Sequence, residues 1–300
     1  MTESTSDAEP APPRWLRLLA RLPLPALHAL GTLAGWLLWY LPTAQRTRTR
    51  LHLSRCFPDW GRRRRRRVGR RSLVHLGRAF AESALLWFGP ADRVRRLVRR
   101  VEGESLWREA LAAGRGVVLM TPHLGSWELA GLYCADRAPI TSLYKPQKGS
   151  LDAVIKRGRE RFGARLVPST GGGVRALLRT LRAGESVGIL PDQDPPRGSG
   201  EFAPLFGIVA HTPVLPGRLV TRAGAPALFV VAERLPRGRG FALRFERAPE
   251  AMADPDPAVA ATALNEGLER LVRRLPEQYY WSYARYRRRP PGERGDWYRH

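Results

Sequence analysis

The chain has 300 residues, 43% hydrophobic and 26% charged, which predicts one globular domain with an added segment and a core that needs no disulfide or structural metal. Its two cysteines, Cys56 and Cys134, lie far apart, and no Cys/His/carboxylate cluster is evident, so we expect reduced, buried thiols and neither a metal nor another cofactor. Lys and Arg number 51 against 27 Asp and Glu, a formal net charge of +24, which favours a polyanionic partner: nucleic acid, anionic lipid headgroups or an acidic protein.

The N-terminal part of the chain predicts a tail followed by a membrane anchor. Residues 1–13 are polar and proline-containing, and we expect a disordered tail. Residues 14–45 are predicted to form a membrane anchor helix, because residues 24–42 are apolar and approach the roughly 20 residues that span a bilayer, with aromatic residues gathered at the far end. A buried core helix is the alternative, as is a cleaved signal peptide, although no small-residue cleavage site follows.

Arginines flank this apolar stretch unequally. Three precede it, and twelve follow it between residues 46 and 71, so the positive-inside bias places the downstream chain on the cytoplasmic side. Residues 46–100 are predicted to be a basic juxtamembrane segment, with an amphipathic helix over residues 68–88. The same arginines can contact anionic headgroups, or they can form a solvated face with no partner.

Short apolar runs then alternate with helical segments over residues 101–300, which predicts an α/β domain with a mostly parallel sheet flanked by helices. The predicted strands are residues 117–120, 140–143, 165–167, 187–190, 227–232 and 241–245. The predicted helices are residues 105–113, 127–135, 151–162, 174–181 and 257–275.

Polar residues follow three of the predicted strands. They are His123, then Tyr144 and Lys145, and then Asp192, Gln193 and Asp194. Ligand sites of parallel sheets lie outside the carboxyl ends of the strands. We therefore expect the three groups to meet at one edge of the sheet and to form a site there.

The stretch TPHLGSWELAG, residues 121–131, suggests a base and a carboxylate partner. His123 leaves a strand, and Glu128 falls in the first turn of the next helix, where the helix dipole keeps a carboxylate ionised. If Glu128 reaches back to one imidazole nitrogen, it fixes the tautomer and leaves the other nitrogen free to take a proton from an alcohol. Ser126 is predicted to cap this helix, so the nucleophile is expected to be a substrate hydroxyl.

Other polar positions have plainer interpretations. The glycines at residues 171–173 are predicted to lead into a helix, since no Lys-Ser/Thr follows them as in a phosphate-binding loop. Taken alone, Asp192 and Asp194 are interpreted as caps of a turn, and His211 as a structural residue.

The residues nevertheless resemble a known family. His123-x-x-x-x-Glu128 resembles the HX4D/E motif of the lysophospholipid and glycerol-phosphate acyltransferase superfamily, and the wider chain resembles its lipid A biosynthesis late acyltransferases, the lauroyl and myristoyl enzymes. The supporting stretches are TPHLGSWELAG, LYKP, GVRALLRTLRAGESVGILPDQDPP, GEFAPLFG and WSYARYRRRPPGE, and the resemblance runs from about residue 24 to residue 293. The PDQ and FAPLFG elements are more specific than the His–Glu pair.

This resemblance implies an O-acyltransferase fold over residues 101–300, with His123 as general base and Glu128 as its partner. Lys145 stands where the family usually has arginine in a Y-R-P element, which weakens its expected role beside Tyr144 as a phosphate or carboxylate contact. Asp192 and Gln193 match the PDQ element near the headgroup site.

The resemblance also implies the substrates and the location. The donor is expected to be an acyl thioester of acyl carrier protein, with the coenzyme A thioester as the alternative. The acceptor is expected to be a hydroxyl of a lipid A precursor at the cytoplasmic face of the inner membrane. A related glycolipid or ornithine-lipid acyltransferase is the alternative enzyme. The alternative from another class is a non-catalytic, membrane-tethered nucleic-acid-binding protein, although the Arg62–Arg67 run lacks the interleaved aromatics that such a surface uses.

Overall fold

The computed structural model describes residues 13–147, 149, 151–293 and 297–298. Its helices are α1 (Arg14–Arg21), α2 (Leu24–Tyr40), α3 (Ala44–Cys56), α4 (Arg62–Phe88), α5 (Ala91–Arg95), α6 (Glu104–Ala112), α7 (Trp127–Ala135), α8 (Leu151–Glu160), α9 (Gly171–Arg182), α10 (Leu215–Ala223) and α11 (Pro257–Arg274). Its strands are β1 (Val98–Glu102), β2 (Val117–Met120), β3 (Ile140–Tyr144), β4 (Arg165–Pro168), β5 (Ser186–Ile189), β6 (Gly200–Leu205), β7 (Ile208–Pro213), β8 (Ala227–Arg234) and β9 (Phe241–Arg247). Apart from Pro13, the predicted tail lies outside the described residues.

A seven-stranded sheet forms the centre of the molecule, in the order β1-β9-β8-β2-β5-β3-β4. Strands β8, β2, β5, β3 and β4 run parallel to one another, whereas β9 is antiparallel to β8 and pairs in parallel with β1. Strands β6 and β7 form a separate antiparallel pair. The predicted α/β class, a mostly parallel sheet flanked by helices, is confirmed.

The middle strand β2 is buried along its whole length, as a strand covered on both faces must be. Its successive side chains point to opposite faces. Val117 and Leu119 join one core cluster with residues of α4, α6 and α7, and Val118 and Met120 join another with residues of α9, α10 and α11. Helices on both faces of the sheet therefore pack against the strand that leads to His123.

The N-terminal segment differs from the prediction of one anchor helix over residues 14–45. Leu22 and Leu41 each precede a proline, which disfavours the helical conformation, and both are extended. The stretch therefore forms α1, α2 and the first residues of α3, with α1 and α2 bent by 119°. The prediction is wrong in this respect.

Helix α2 lies in close contact with α4 along one face. A Cβ atom at Gly31 would lie 2.5 Å from the backbone nitrogen of Arg78, and one at Gly77 would lie 2.1 Å from the carbonyl oxygen of Gly31, so only glycine permits this approach. The opposite face of α2 carries exposed apolar side chains: Leu30, Leu33, Trp36, Leu37 and Tyr40. Among the described residues no single helix has the length and hydropathy to cross a membrane, although α1 and α2 together do.

Candidate active site

The turn after β2 carries His123 and is held in place by two neighbouring segments. Gly125 has a φ of +66°, and a Cβ atom there would lie 2.2 Å from the carbonyl oxygen of Ala232 at the end of β8. The backbone nitrogen of Gly125 donates to the carbonyl of Gln278, and that of Tyr280 donates to the carbonyl of His123. The histidine backbone is thus fixed from both sides.

The carboxylate beside His123 is that of Asp192, which follows β5. Nδ1 of His123 lies 2.8 Å from Oδ1 of Asp192, and the backbone nitrogen of His123 donates to Oδ2 at 2.9 Å. Burial by itself would raise the pKa of Asp192, but the charge of His123 and its hydrogen bonds hold that pKa below its usual value. An ionised Asp192 accepts Nδ1–H and leaves Nε2 as the proton acceptor.

Gln193 and two aromatic rings complete the surroundings of His123. The amide nitrogen of Gln193 lies 3.2 Å from Nε2 of His123 and donates to it when Nδ1 carries the proton. The Trp127 and Tyr280 rings lie 5.1 Å and 5.9 Å from the imidazole, between centroids, and stack on each other. The imidazole is only 12% exposed.

Glu128 does not bond to His123, contrary to the prediction. From the first turn of α7 its carboxylate accepts hydrogen bonds from Arg159 of α8, at 2.9 Å and 2.5 Å, and from the indoles of Trp87 and Trp127, each at 3.1 Å. Four donors from α4, α7 and α8 converge on the carboxylate and hold it away from the imidazole. Ser126 is the N-cap residue of α7 as predicted, but its hydroxyl donates to buried Glu82 instead of capping the helix.

Tyr144 and Lys145 lie at the same edge of the sheet, because β3 pairs with β5, but His123 is not among their described contacts. The Tyr144 hydroxyl donates to Asp152 at 2.6 Å, and its ring lies 5.7 Å from the guanidinium carbon of Arg159. Lys145 is exposed, and none of the described carboxylates forms an ion pair with it. The edge therefore has a His123–Asp192–Gln193 centre and a Glu128–Arg159–Tyr144 group, and Trp127 contacts both.

A cavity of about 60 Å³ lies between α7 and the face of β2, β3 and β5. Leu132, Cys134, Ile140, Ser142 and Gly188 contribute to its largely apolar lining, and Glu128 and Arg159 border it. Its volume is well below the roughly 300–1,000 Å³ of typical ligand pockets, so it has room only for a short apolar group beside this cation and carboxylate.

His211 and Cys56 have structural surroundings. His211, interpreted above as structural, bonds Asp194 at 2.8 Å. Burial raises the pKa of the Cys56 thiol to about 12, which fits a small core residue rather than a reactive thiol. Within the described part of the chain, no group of three or more His, Cys, Asp or Glu side chains has the arrangement of a metal site.

Sequence reasoning found His123 but missed Arg159 and the pairing with Asp192. Arg159 lies in a run with several other charged residues, and nothing local distinguishes it from an exposed arginine. Asp192 is 69 residues from His123 along the chain. Its position after a neighbouring strand was the available signal, since β2 and β5 end side by side.

Comparison with known proteins places the chain in a family. Residues 14–288 match the family model described as bacterial lipid A biosynthesis acyltransferase. The chain is 31% identical over 281 residues to the lipid A biosynthesis palmitoleoyltransferase of Escherichia coli K12, covering 93% of this chain and 90% of the relative. It is 28% identical over 280 residues to the lauroyltransferase of the same organism, covering 92% and 90%. A phosphatidylinositol mannoside acyltransferase of Mycolicibacterium smegmatis is 31% identical over 169 residues, or 54% of each chain. The resemblance noted in the sequence is thereby confirmed, and the chain belongs to the bacterial lipid A biosynthesis acyltransferase family.

Proposed function

We propose that this acyltransferase moves a fatty acyl group from the thioester of acyl carrier protein to a hydroxyl of a lipid A precursor, with His123 as general base. The observation that carries the proposal is the contact of His123 Nδ1 with buried Asp192, because it leaves Nε2 to accept a proton. The acceptor hydroxyl takes the place of the Gln193 amide at Nε2. Asp192 orients the imidazole and stabilises the imidazolium that forms.

The reaction then balances without a protein nucleophile. His123 removes the hydroxyl proton as the acceptor oxygen bonds to the thioester carbonyl carbon, and a tetrahedral oxyanion forms. Its collapse breaks the carbon–sulfur bond, and the imidazolium returns the proton to the thiolate that leaves. The products are an ester of the acceptor and the free thiol of the carrier.

Glu128 acts in this scheme through Arg159. Its carboxylate holds the guanidinium at the border of the small apolar cavity, which we assign to one end of the donor's acyl chain. Tyr144 lies against the same guanidinium. Lys145 is exposed at the end of the neighbouring strand, where it can contact an acidic group of either substrate.

The location and the donor rest on charge and exposed apolar surface. The apolar face of α2 supports attachment to a membrane, and the excess of arginine after it supports an inner-membrane protein with its catalytic domain on the cytoplasmic side. The net charge of +24 suits a strongly acidic carrier protein.

A different lipid acceptor is the second candidate. The similarity to a phosphatidylinositol mannoside acyltransferase over 54% of the chain supports a related glycolipid substrate, and the ornithine-lipid alternative belongs to the same reaction class. Because the relatives are acyltransferases, the non-catalytic nucleic-acid-binding alternative loses its support.

The test is a transfer assay with the purified full chain. Acyl carrier protein and coenzyme A carrying the same acyl group are compared as donors, a lipid A precursor and a mannosylated glycolipid are compared as acceptors, and products are identified by mass spectrometry. We expect one added acyl group on the lipid A precursor, with the carrier-protein donor preferred. Acylation of the mannolipid alone, or an unchanged lipid A profile in a deletion strain, contradicts the proposal.

A further inference from the structure

Helices α2, α3 and α4 enclose an open groove of about 760 Å³ that is outside the catalytic site. Five arginines line it: Arg46 and Arg50 of α3, and Arg62, Arg65 and Arg66 of α4. Its described lining contains no Asp or Glu. We refer to this feature as the arginine groove.

The charge of the arginine groove is uncompensated within the described part of the chain. None of its five guanidinium groups forms an ion pair there, and Arg65 donates only to the carbonyl oxygen of Ser54, at 3.4 Å. In the neighbouring cleft, by contrast, Arg71 pairs with Glu277 at 2.8 Å. Five uncompensated guanidinium groups around one groove attract anions, and their planar geometry matches the oxygens of a phosphate.

The apolar rim of the arginine groove indicates what carries that phosphate. Trp39 and Tyr40, at the end of α2, line the groove, and Tyr40 belongs to the exposed apolar face of the same helix. Leu33, Trp36 and Leu37 continue this face away from the groove. A basic groove beside an exposed apolar face fits the interface of a bilayer, where headgroups lie next to acyl chains, better than it fits a soluble polyanion.

We propose that the arginine groove binds the phosphate headgroups of anionic phospholipids while the apolar face of α2 enters the membrane. This inference rests on the membrane attachment proposed above. Trp39 packs in the same cluster as Trp127 and Tyr280, the two rings that flank His123. A phospholipid in the groove therefore holds the catalytic residues close to the bilayer surface.

Vesicle binding with a matched charge control tests the proposal. The groove variant is the full chain with Arg50→Gln, Arg62→Gln and Arg66→Gln. The control variant carries Arg175→Gln, Arg179→Gln and Arg182→Gln, which removes the same charge from exposed, unpaired arginines of α9. Both are compared with the wild type by co-flotation, after thermal melting has shown that each is folded. The vesicles are phosphatidylcholine alone, phosphatidylcholine and phosphatidylglycerol in equal parts, and phosphatidylcholine that carries a phosphorylated lipid acceptor.

The measured quantity is the gain in affinity that phosphatidylglycerol produces. A basic residue at an anionic surface contributes about fivefold in affinity, so the groove variant should lose roughly 100-fold of this gain, and the control variant should keep most of it. Equal losses in the two variants, or no loss in the groove variant, overturn the proposal. It is also overturned if the groove variant loses binding only to phosphatidylcholine vesicles that carry a phosphorylated acceptor, because the groove is then an acceptor site.

The assay separates this inference from the proposed function. It measures retention on vesicles and involves no acyl transfer. A wild-type chain that binds phosphatidylglycerol vesicles through the groove but transfers no acyl group contradicts the proposed reaction alone. A chain that transfers acyl groups but shows no preference for phosphatidylglycerol contradicts the groove alone.

Discussion

At the scale of single residues, the hydrogen bond between His123 and Asp192 leads to the sharpest prediction. Asp192→Asn keeps the size of the side chain but offers an amide that can donate to Nδ1. That contact favours the tautomer with its proton on Nε2, which cannot act as a base. We expect kcat to fall about 10²–10⁴-fold with little change in KM, as for loss of a general base, in a steady-state transfer assay.

Asp194→Asn is the matched control, since Asp194 lies two residues away and bonds His211 instead of His123. It should lower the melting temperature yet retain more than about a tenth of the activity. His123→Ala should be as inactive as Asp192→Asn, and the two changes together should be little worse than either, because residues that act as a unit are not additive. Losses that multiply in the double variant would show independent roles.

Glu128 and Arg159 are expected to behave as a second coupled pair. Glu128→Gln removes the charge that both guanidinium contacts use, so it should lower activity by releasing Arg159. Arg159→Lys keeps the positive charge but should also lower activity, since lysine lacks the two-pronged geometry with which arginine contacts the carboxylate. In double-mutant cycles on kcat/KM, Glu128→Gln should couple to Arg159→Lys by about 0.5–3 kcal/mol and should add independently to His123→Ala. A strong His123–Glu128 coupling would instead restore the pairing suggested by the motif.

The candidate site could be predicted from sequence as far as its edge of the sheet and the position of His123 there. His123, Asp192 and Gln193 follow neighbouring parallel strands, so the alternation of strand and helix was enough to bring them together. The partner of His123 could not be chosen, because Glu128 is near it in sequence while Asp192 is near it in space. That choice depends on Arg159 and two indoles, which draw Glu128 away through contacts with α4 and α8.

At the scale of elements, a buried ion pair joins the N-terminal helices to the sheet. Glu82 of α4 bonds Arg234 of β8, His28 of α2 and Ser126 in the segment that follows β2, and the side chains of Glu82 and Arg234 are each about 1% exposed. Glu82→Gln leaves the Arg234 cation buried without a counter-charge. We expect the free energy of unfolding to fall by about 3–5 kcal/mol, measured by denaturant titration in mild detergent.

The exposed pair Arg71–Glu277 provides the control for this change, because Glu277→Gln should cost no more than about 1 kcal/mol.

The carboxylate of Glu82 also predicts a pH dependence of the free energy of unfolding. Burial of Glu82 tends to raise its pKa, but Arg234 and His28 lower it from 4.5 to about 2. The pair therefore stabilises the fold fully above pH 4.5, and this stabilisation is lost as the pH falls towards 2. If the free energy of unfolding falls equally with acid pH in the wild type and in Glu82→Gln, the low pKa assigned to Glu82 is contradicted.

The elements that sequence predicted best are those whose apolar pattern fits only one kind of secondary structure. Strand β2 and helix α7 have the predicted bounds, since one is an unbroken apolar run and the other a short helix after a turn. Strand β1, with the sequence VRRVE, was missed because three of its five residues are charged and it lies at the edge of the sheet. It also crosses the boundary that was predicted at residue 100.

At the scale of the whole molecule, α2 contributes to both the protein core and an exposed apolar surface. Leu24, Leu27 and Trp39 are buried in the protein, so deletion of residues 1–45 would remove core side chains along with any membrane contact. A deletion therefore cannot separate attachment from folding. Substitutions restricted to the exposed face can separate them.

Replacing Leu33, Trp36 and Leu37 together by Gln should weaken membrane attachment without unfolding the chain. These side chains are each about half exposed and lie opposite the glycine contacts with α4, so the core retains its packing. Burying an apolar side chain in a membrane contributes about 1.5–3 kcal/mol, and the loss of three should release much of the protein on carbonate extraction. Phe202→Gln with Val259→Gln, at exposed apolar positions of the α/β domain, is the control and should remain in the membrane fraction. Equal retention of the α2 variant and the control in the membrane fraction would place the membrane contact on another surface. A melting temperature of the α2 variant well below that of the control would mean that the substitutions had disturbed the contact of α2 with α4.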